Sequence, residues 1–282
     1  MQVFETRSTL KSHLESLRKN GFSTGLVPTM GALHDGHISL VNKSVKENDI
    51  TVVSIFVNPT QFNNPDDLEK YPQTLENDLE LLKKTSENTI VFVPNVQEMY
   101  PEQVNSAHFD FGGLENKMEG KFRPGHFDGV GTIVKTLLEL VAPDNAYFGE
   151  KDYQQLLIIK KLKEIAALPV NIIGCPISRE ENGLARSSRN ERLTPEMRNK
   201  AAFIYEIIKT AKSLFGTKSA TEVTDWVTDQ FKNQQDLKLE YVEIADANTL
   251  ETVKTKEDNK AYRLFIAVYA NEVRLIDNIA LN

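Results

Sequence analysis

The sequence predicts an α/β protein in which a parallel sheet alternates with helices as far as Cys175, followed by a smaller α+β unit. Short apolar runs alternate with longer segments of helical period over that first stretch, and each connection is long enough for a right-handed crossover between parallel strands. After Arg192 the order changes to helical segments followed by strand-like runs, the pattern of a separate antiparallel unit. The boundary is placed near Pro176, giving a first domain over residues 1–175 and a second over 176–282.

In chain order, the candidate strands of the first domain are 25–29, 50–57, 89–93, 146–148 and 170–175, each a short apolar or β-branched run. The helices predicted between and after them are 37–47, 74–85, 131–141 and 153–167. In the second domain, 195–215 reads as a helix with Thr194 as its N-cap and Pro195 at its first position. A second helix is expected at 220–232, then strands at 237–245, 261–269 and 273–276. Tyr269-Ala270-Asn271-Glu272 has the form of a tight hairpin turn.

The composition is that of a soluble globular protein. At about 150 residues per domain, 282 residues suit two domains, and 40% hydrophobic against 26% charged residues excludes a disordered or low-complexity chain. With 33 Lys+Arg against 40 Asp+Glu the net charge is -7, so no broad basic surface suggests a nucleic-acid or acidic-lipid partner. Cys175 is the only cysteine, which rules out an intramolecular disulfide and a multi-cysteine zinc site and fits a reducing cytoplasm. Residues 1–17 mix charged with apolar positions and lack a signal-peptide core. No apolar run reaches the length of about 18 residues that a membrane-spanning helix needs.

Ligands of open parallel sheets bind outside the carboxyl ends of the strands, so the loops after the strands are where chemistry is sought. The strongest signal is Met30-Gly31-Ala32-Leu33-His34-Asp35-Gly36-His37, which leaves a strand and opens a helix. Two imidazoles spaced H-x-G-H beside the unpaired N–H groups of a helix N-terminus suit a phosphate. The alternatives are loop and cap residues without a ligand, or a two-histidine metal site that lacks a third ligand.

Gly149-Glu150-Lys151-Asp152 follows a strand and would bring an ammonium to the same sheet edge, although such residues also make ordinary turns. Arg186-Ser187-Ser188-Arg189 offers guanidinium and hydroxyl groups for a triphosphate clamp, or else a solvated linker. Gln61, in Phe56-Val57-Asn58-Pro59-Thr60-Gln61-Phe62, and Gln155, after Gln154, supply neutral amides that orient hydroxyls or a carboxylate, or merely cap strand ends. The stretch 120–130 combines Gly, Pro, His and Arg before a helix and would wall the site or shape a turn, with Phe122 and Phe127 as packing residues.

Taken together, VPTMGALHDGH, FVNPTQF, RPGHFDGV, FGEKDYQQL and ARSSRN, in this order over nearly the whole chain, resemble the pantothenate synthetases, the AMP-forming pantoate:β-alanine ligases. H-x-G-H alone marks only the wider superfamily of nucleotidylyltransferases and class I aminoacyl-tRNA synthetases, and the rival readings are another nucleotidylyltransferase and a non-catalytic nucleotide-binding regulator on the same fold.

The resemblance implies a Rossmann-like first domain, a C-terminal lid and a homodimer. It implies a reaction in which pantoate attacks the α-phosphorus of ATP, carried with Mg²⁺, and β-alanine then displaces AMP. Carried over by position, Met30, Gly31, Ala32, Leu33, His34, Asp35, Gly36 and His37 would hold ATP, together with Gly149, Glu150, Lys151, Asp152, Ser178, Arg186, Ser187, Ser188 and Arg189. Among these, His34, His37, Lys151 and Arg189 would be catalytic. Gln61, Gln155, Met30 and Phe62 would hold pantoate, with Gln61 also near β-alanine. Ser178, Arg186 and Gln73 depart from the residues usual in the family, and the protein ligands of Mg²⁺ stay unassigned, Asp78 included.

Overall fold

The computed structural model describes residues 1–282. The chain forms β1 (Gln2–Phe4), α1 (Arg7–Lys19), β2 (Thr24–Thr29), α2 (Asp35–Glu47), β3 (Ile50–Ile55), α3 (Pro65–Glu69), α4 (Leu75–Thr85), β4 (Thr89–Phe92), α5 (Val96–Met99), α6 (Met118–Phe122), α7 (His126–Val141), β5 (Asn145–Gly149), α8 (Tyr153–Ile165) and β6 (Asn171–Cys175). There follow α9 (Pro195–Ala201), α10 (Phe203–Phe215), α11 (Ala220–Phe231), β7 (Leu237–Asp246), β8 (Tyr262–Ala270) and β9 (Val273–Ala280). Two compact units result. One holds Met1–Glu150 and Gln154–Pro176, the other Lys151–Tyr153 and Ile177–Asn282.

The first unit is built on a six-stranded sheet in the order β1-β4-β3-β2-β5-β6, with every pairing parallel. Alternation along the strands sends Val27, Val53 and Val91 into one buried layer with Leu40 and Val41 of α2 and Leu82 of α4. Leu26, Val52 and Ile90, one position earlier, are equally buried and face the other layer, where α7 packs on β2 and α1 on α7. A sheet covered on both faces reads as continuous apolar runs, which is why its central strands are legible in the sequence. Cys175, at the end of β6, belongs to the α2 layer, and burial pushes its thiol up to about 11. The thiol is buried and its reactive thiolate form is disfavoured, so a disulfide exchange reagent should titrate no cysteine in the native protein and one after denaturation.

The strand order reverses beside β2: the chain runs outward through β3 and β4, then returns to place β5 on the opposite flank of β2. That switch point opens a crevice at the carboxyl ends of β2 and β5. Pro28 helps to open it. The Thr24 carbonyl accepts from Asp144 at the foot of β5 and the Thr29 carbonyl from Phe56 after β3, so even-numbered residues of β2 face β5 and odd ones face β3. Pro28 therefore presents its missing N–H to β5, and β2–β5 pairing stops at Leu26↔Ala146 while β2–β3 pairing continues to Thr29↔Ile55.

The second unit packs α9, α10 and α11 against a three-stranded antiparallel sheet, β7-β8-β9. Ser219 and Glu222 cap α11 reciprocally. The β8–β9 hairpin turns through Asn271 and Glu272, with Ala270 paired to Val273 and Asn271 at φ 52, a left-handed conformation that asparagine tolerates.

Several sequence expectations are corrected. β1 and α1 were not predicted. The helix expected over 195–215 is divided at Ala202, where bonds from Ala202 to Asn199 and from Tyr205 to Ala202 tighten the chain to an i to i+3 turn. The helix expected from 131 begins at His126, so His126 and Phe127 form its first turn rather than a preceding loop. Phe127 is buried as expected, whereas Phe122 is 39% exposed.

Candidate active site

The H-x-G-H segment sits at the carboxyl end of β2. Gly31 has φ +81, a left-handed conformation, and a Cβ there would lie 3.1 Å from Asp78 Oδ2 and 3.2 Å from Ile55 Cγ2, so both backbone and space call for glycine. Ala32 follows at φ 48. This turn is fastened by Asp78 of α4, 2% exposed. Its carboxylate accepts the Ala32 N–H at 3.0 Å, the Leu33 N–H at 2.8 Å and the Thr74 hydroxyl at 3.1 Å.

His34 is the N-cap of α2 and accepts the Gly36 N–H on Nδ1 at 3.1 Å, while His37 Nδ1 accepts the His34 N–H at 3.3 Å. An acceptor nitrogen carries no proton, so each neutral imidazole holds its proton on Nε2. The two ring centroids lie 4.1 Å apart, with the rings tilted by 33°. The cap thus uses one nitrogen of each histidine and keeps Nε2–H as the donor.

Gln61 ends the short turn Pro59–Gln61 after β3 and is 8% exposed. Its Oε1 accepts from Asn58 Nδ2 at 3.2 Å and its Nε2 lies 2.8 Å from Met30 Sδ, which joins the two strand-end loops. Asn58, 1% exposed, also donates to the Gly129 carbonyl at 3.1 Å and accepts from Thr60 and from the Tyr100 hydroxyl. Helix α7 presses closely here: a Cβ on Gly129 would fall 2.4 Å from the Thr60 carbonyl. The Gln61 carbonyl faces His126 Nδ1 at 2.8 Å, and Arg123 Nη1 reaches His126 Nε2 at 3.2 Å. A carbonyl needs a donor and a guanidinium needs an acceptor, so this buried imidazole is the neutral Nδ1–H tautomer. The 120–130 stretch therefore braces Gln61. Phe62, half-buried, packs edge-on against Tyr71 at 5.7 Å.

Gly149 is the last residue of β5, and Glu150 opens the turn Glu150–Asp152. The two glutamines at the start of α8 part company. Gln154, 4% exposed, accepts from the Glu119 N–H and donates to the Leu114 and Lys117 carbonyls. Gln155 makes none of those bonds and is half-buried. The remaining predicted residues belong to the second unit. Lys151 lies 3.6 Å from the Asp152 carboxylate. Ser178 and Arg186 are joined by a main-chain bond of 3.0 Å, and the Arg186 Nε donates to the Arg179 carbonyl. Ser187 caps the turn Ser188–Arg192 by accepting from Arg189 N–H at 3.3 Å.

No group of three or more His, Cys, Asp or Glu residues is arranged to hold a metal ion, and the Asp78 oxygens are occupied by the turn they hold. Sequence reasoning missed Asp78, Asn58 and His126 as supports because each acts on a residue distant in the sequence or through a main-chain atom.

A doubly wound parallel sheet with an H-x-G-H helix cap at its switch point defines a Rossmann-like enzyme that handles nucleotides. The chain belongs to the pantoate-beta-alanine ligase family, whose model matches residues 2–280, and it is accordingly a ligase. It is 58% identical over 282 residues, 100% of both chains, to the pantothenate synthetase of Christiangramia forsetii. Against that of Flavobacterium psychrophilum it is 56% identical over 281 residues, again 100% of both. The crystal structure of pantothenate synthetase from Thermus thermophilus superposes with a TM-score of 0.91 at 38% identity, covering 100% of this chain and 99% of that one. That of pantoate-beta-alanine ligase from Francisella tularensis, complexed with beta-gamma ATP and beta-alanine, has a TM-score of 0.83 at 38% identity, with 100% and 98% covered. No helix is long and apolar enough to cross a membrane.

Proposed function

We propose that the chain joins pantoate to β-alanine in two steps at the switch-point crevice. A pantoate carboxylate oxygen attacks the α-phosphorus of ATP, the bond to the bridging oxygen breaks, and pyrophosphate leaves. The β-alanine nitrogen then attacks the acyl carbon of pantoyl adenylate, the acyl C–O bond breaks, the amine loses a proton, and AMP departs. The observation that carries this reading is the double cap of α2, which directs the protons of His34 and His37 to Nε2, where they serve charge growing on the α-phosphate.

In this reading residues 30–37, with Gly149 and Glu150, cradle ATP, Lys151 and Arg189 supply positive charge, and Ser178, Arg186, Ser187 and Ser188 complete a phosphate loop. Gln61 and Gln155 hold pantoate with neutral amides that orient its carboxylate without quenching it as a nucleophile. Met30 and Phe62 line its apolar end, and Gln61 also meets β-alanine. Magnesium arrives with the triphosphate, in keeping with its habit of binding through substrate phosphates. The second unit serves as a lid, and the enzyme works as a cytoplasmic homodimer.

Pantoate-dependent exchange of pyrophosphate into ATP, with AMP release only after β-alanine is added, is the expected result. No exchange with pantoate overturns the reading. A product that retains the nucleotidyl group points to another nucleotidylyltransferase instead.

A further inference from the structure

Strand β9 carries two adjacent buried polar residues, Asp277 and Asn278, 5% and 1% exposed, that the proposed mechanism does not use. Asn278 Nδ2 donates to the main-chain carbonyl of Lys151 at 2.8 Å. Its Oδ1 accepts from Arg263, and its N–H donates to Asp277 Oδ1 at 2.8 Å. The Arg263 guanidinium lies 3.9 Å over the ring of Tyr153, which also packs against Phe265 at 5.9 Å. The segment Lys151–Tyr153, though it lies between β5 and β6 in the chain, is thereby fastened to β8 and β9 and folds with the second unit.

Asp277 does the corresponding work for the other cationic loop. It takes a two-pronged pair from Arg179, at 2.6 and 2.9 Å, and the Arg179 guanidinium also stacks 3.8 Å from the ring of Tyr205. Arg179 pairs with Ala185 across a short hairpin, and the chain continues from that hairpin directly into Arg186 and Arg189. Charge-assisted, bidentate bonds to a buried carboxylate are the strong and directional ones. One strand therefore anchors the main chain of Lys151 and, one residue away, the base of the arginine loop.

We infer that Asn278 is a positioning residue for adenylate formation: by holding the Lys151 carbonyl on β9 it sets the ammonium at a fixed spacing from the Arg186–Arg189 loop that Asp277 anchors. The inference rests on the proposed role of Lys151 at the phosphates. Preorganisation of this kind acts on the step in which charge develops at phosphorus and leaves aminolysis of a finished adenylate untouched.

The test is Asn278→Asp, nearly isosteric, which keeps Oδ1 for Arg263 and exchanges the amide that donates to Lys151 for a charged oxygen that cannot. Asn278→Ser, too short to reach the Lys151 carbonyl, serves as a second variant should the first not fold. Two rates are measured in the full-length protein, single-turnover adenylation and β-alanine-dependent consumption of preformed pantoyl adenylate, each in the Lys151 and the Lys151→Ala backgrounds. Adenylation should fall about 10- to 100-fold with aminolysis within about twofold, and the loss should vanish when Lys151→Ala is already present, because the two residues act as one unit. An equal loss in both half-reactions, the same loss in the Lys151→Ala background, or no loss while Lys151→Ala alone cripples adenylation overturns the inference. Undiminished adenylation by Lys151→Ala refutes the role of Lys151 itself, and the inference falls with it.

Discussion

Replacing His34 by Asn leaves the protein folded and lowers pantoate-dependent adenylation by about 10²- to 10³-fold. The two nitrogens of this imidazole have separate tasks. Nδ1 accepts the Gly36 N–H as the cap of α2, and asparagine is among the best residues for that position. The stability of the Asn variant should therefore stay within about 0.5 kcal/mol of the parent. Nε2–H has no counterpart in the shorter side chain, so the donor proposed for the α-phosphate is lost. His34→Gln makes the converse exchange: its longer amide reaches the Nε2 position, but it caps poorly, at a cost of about 1 kcal/mol, and it should keep more activity than the Asn variant. Single-turnover adenylation read beside thermal melting separates the two. An Asn variant that retains adenylation within tenfold of the parent rate would show that His34 is only a cap.

That separation explains how much of the site was legible in the sequence. H-x-G-H is a local arrangement in which cap, helix dipole and ligand donors lie within four consecutive residues, so the string itself carries the chemistry. The supports around it are not local. Asp78 reaches Ala32 across 46 positions, His126 reaches the Gln61 carbonyl across 65, and Asn278 reaches Lys151 across 127. No spacing rule finds such contacts in one sequence. The Gln154-Gln155 pair shows the same limit, since both residues are amides at a helix start and only the structure shows that Gln154 is consumed in holding Leu114, Lys117 and Glu119.

The fold divides along similar lines. The central strands were legible because burial on both faces leaves apolar runs without alternation. β1 was not, since three residues at a sheet edge are too few for a period. The stretch GHFDGV reads as a loop before a helix at 131, yet Gly129 as well as Gly131 lies inside α7, where a Cβ would meet the Thr60 carbonyl at 2.4 Å and the Phe109 and Phe111 rings at 3.0 Å respectively. Close packing against neighbouring elements, not conformational freedom, selects glycine there. Helix propensity was overridden by contacts that the local sequence does not contain.

Replacing Asp78 by Ala should lower the melting temperature by about 5–15 °C and abolish most adenylation even where the protein is folded. Its carboxylate is buried and accepts two main-chain N–H groups and one hydroxyl. Removing the acceptor strands donors that water cannot reach, and with a charged acceptor the cost is about 2–4 kcal/mol. A domain of this size shifts by about 2–4 °C for each kcal/mol. Relief of the carboxylate's own desolvation offsets part of the loss, but the stranded N–H groups remain and dominate. The turn also loses its restraint. Ala32 sits at φ 48, a left-handed conformation that costs a non-glycine residue about 1–2 kcal/mol, and the Asp78 bonds at Ala32 and Leu33 hold it there. Without them the turn relaxes toward right-handed backbone, and His34, two residues on, leaves the cap geometry that directs its Nε2–H. Asp78→Asn keeps one acceptor oxygen but presents an amide N–H to a main-chain N–H, so it should lose about half as much stability and nearly as much activity. Adenylation measured well below each variant's melting temperature distinguishes a displaced turn from simple unfolding. A parental melting temperature in Asp78→Ala, or full adenylation in its folded state, would show that the Ala32 turn holds itself without the carboxylate.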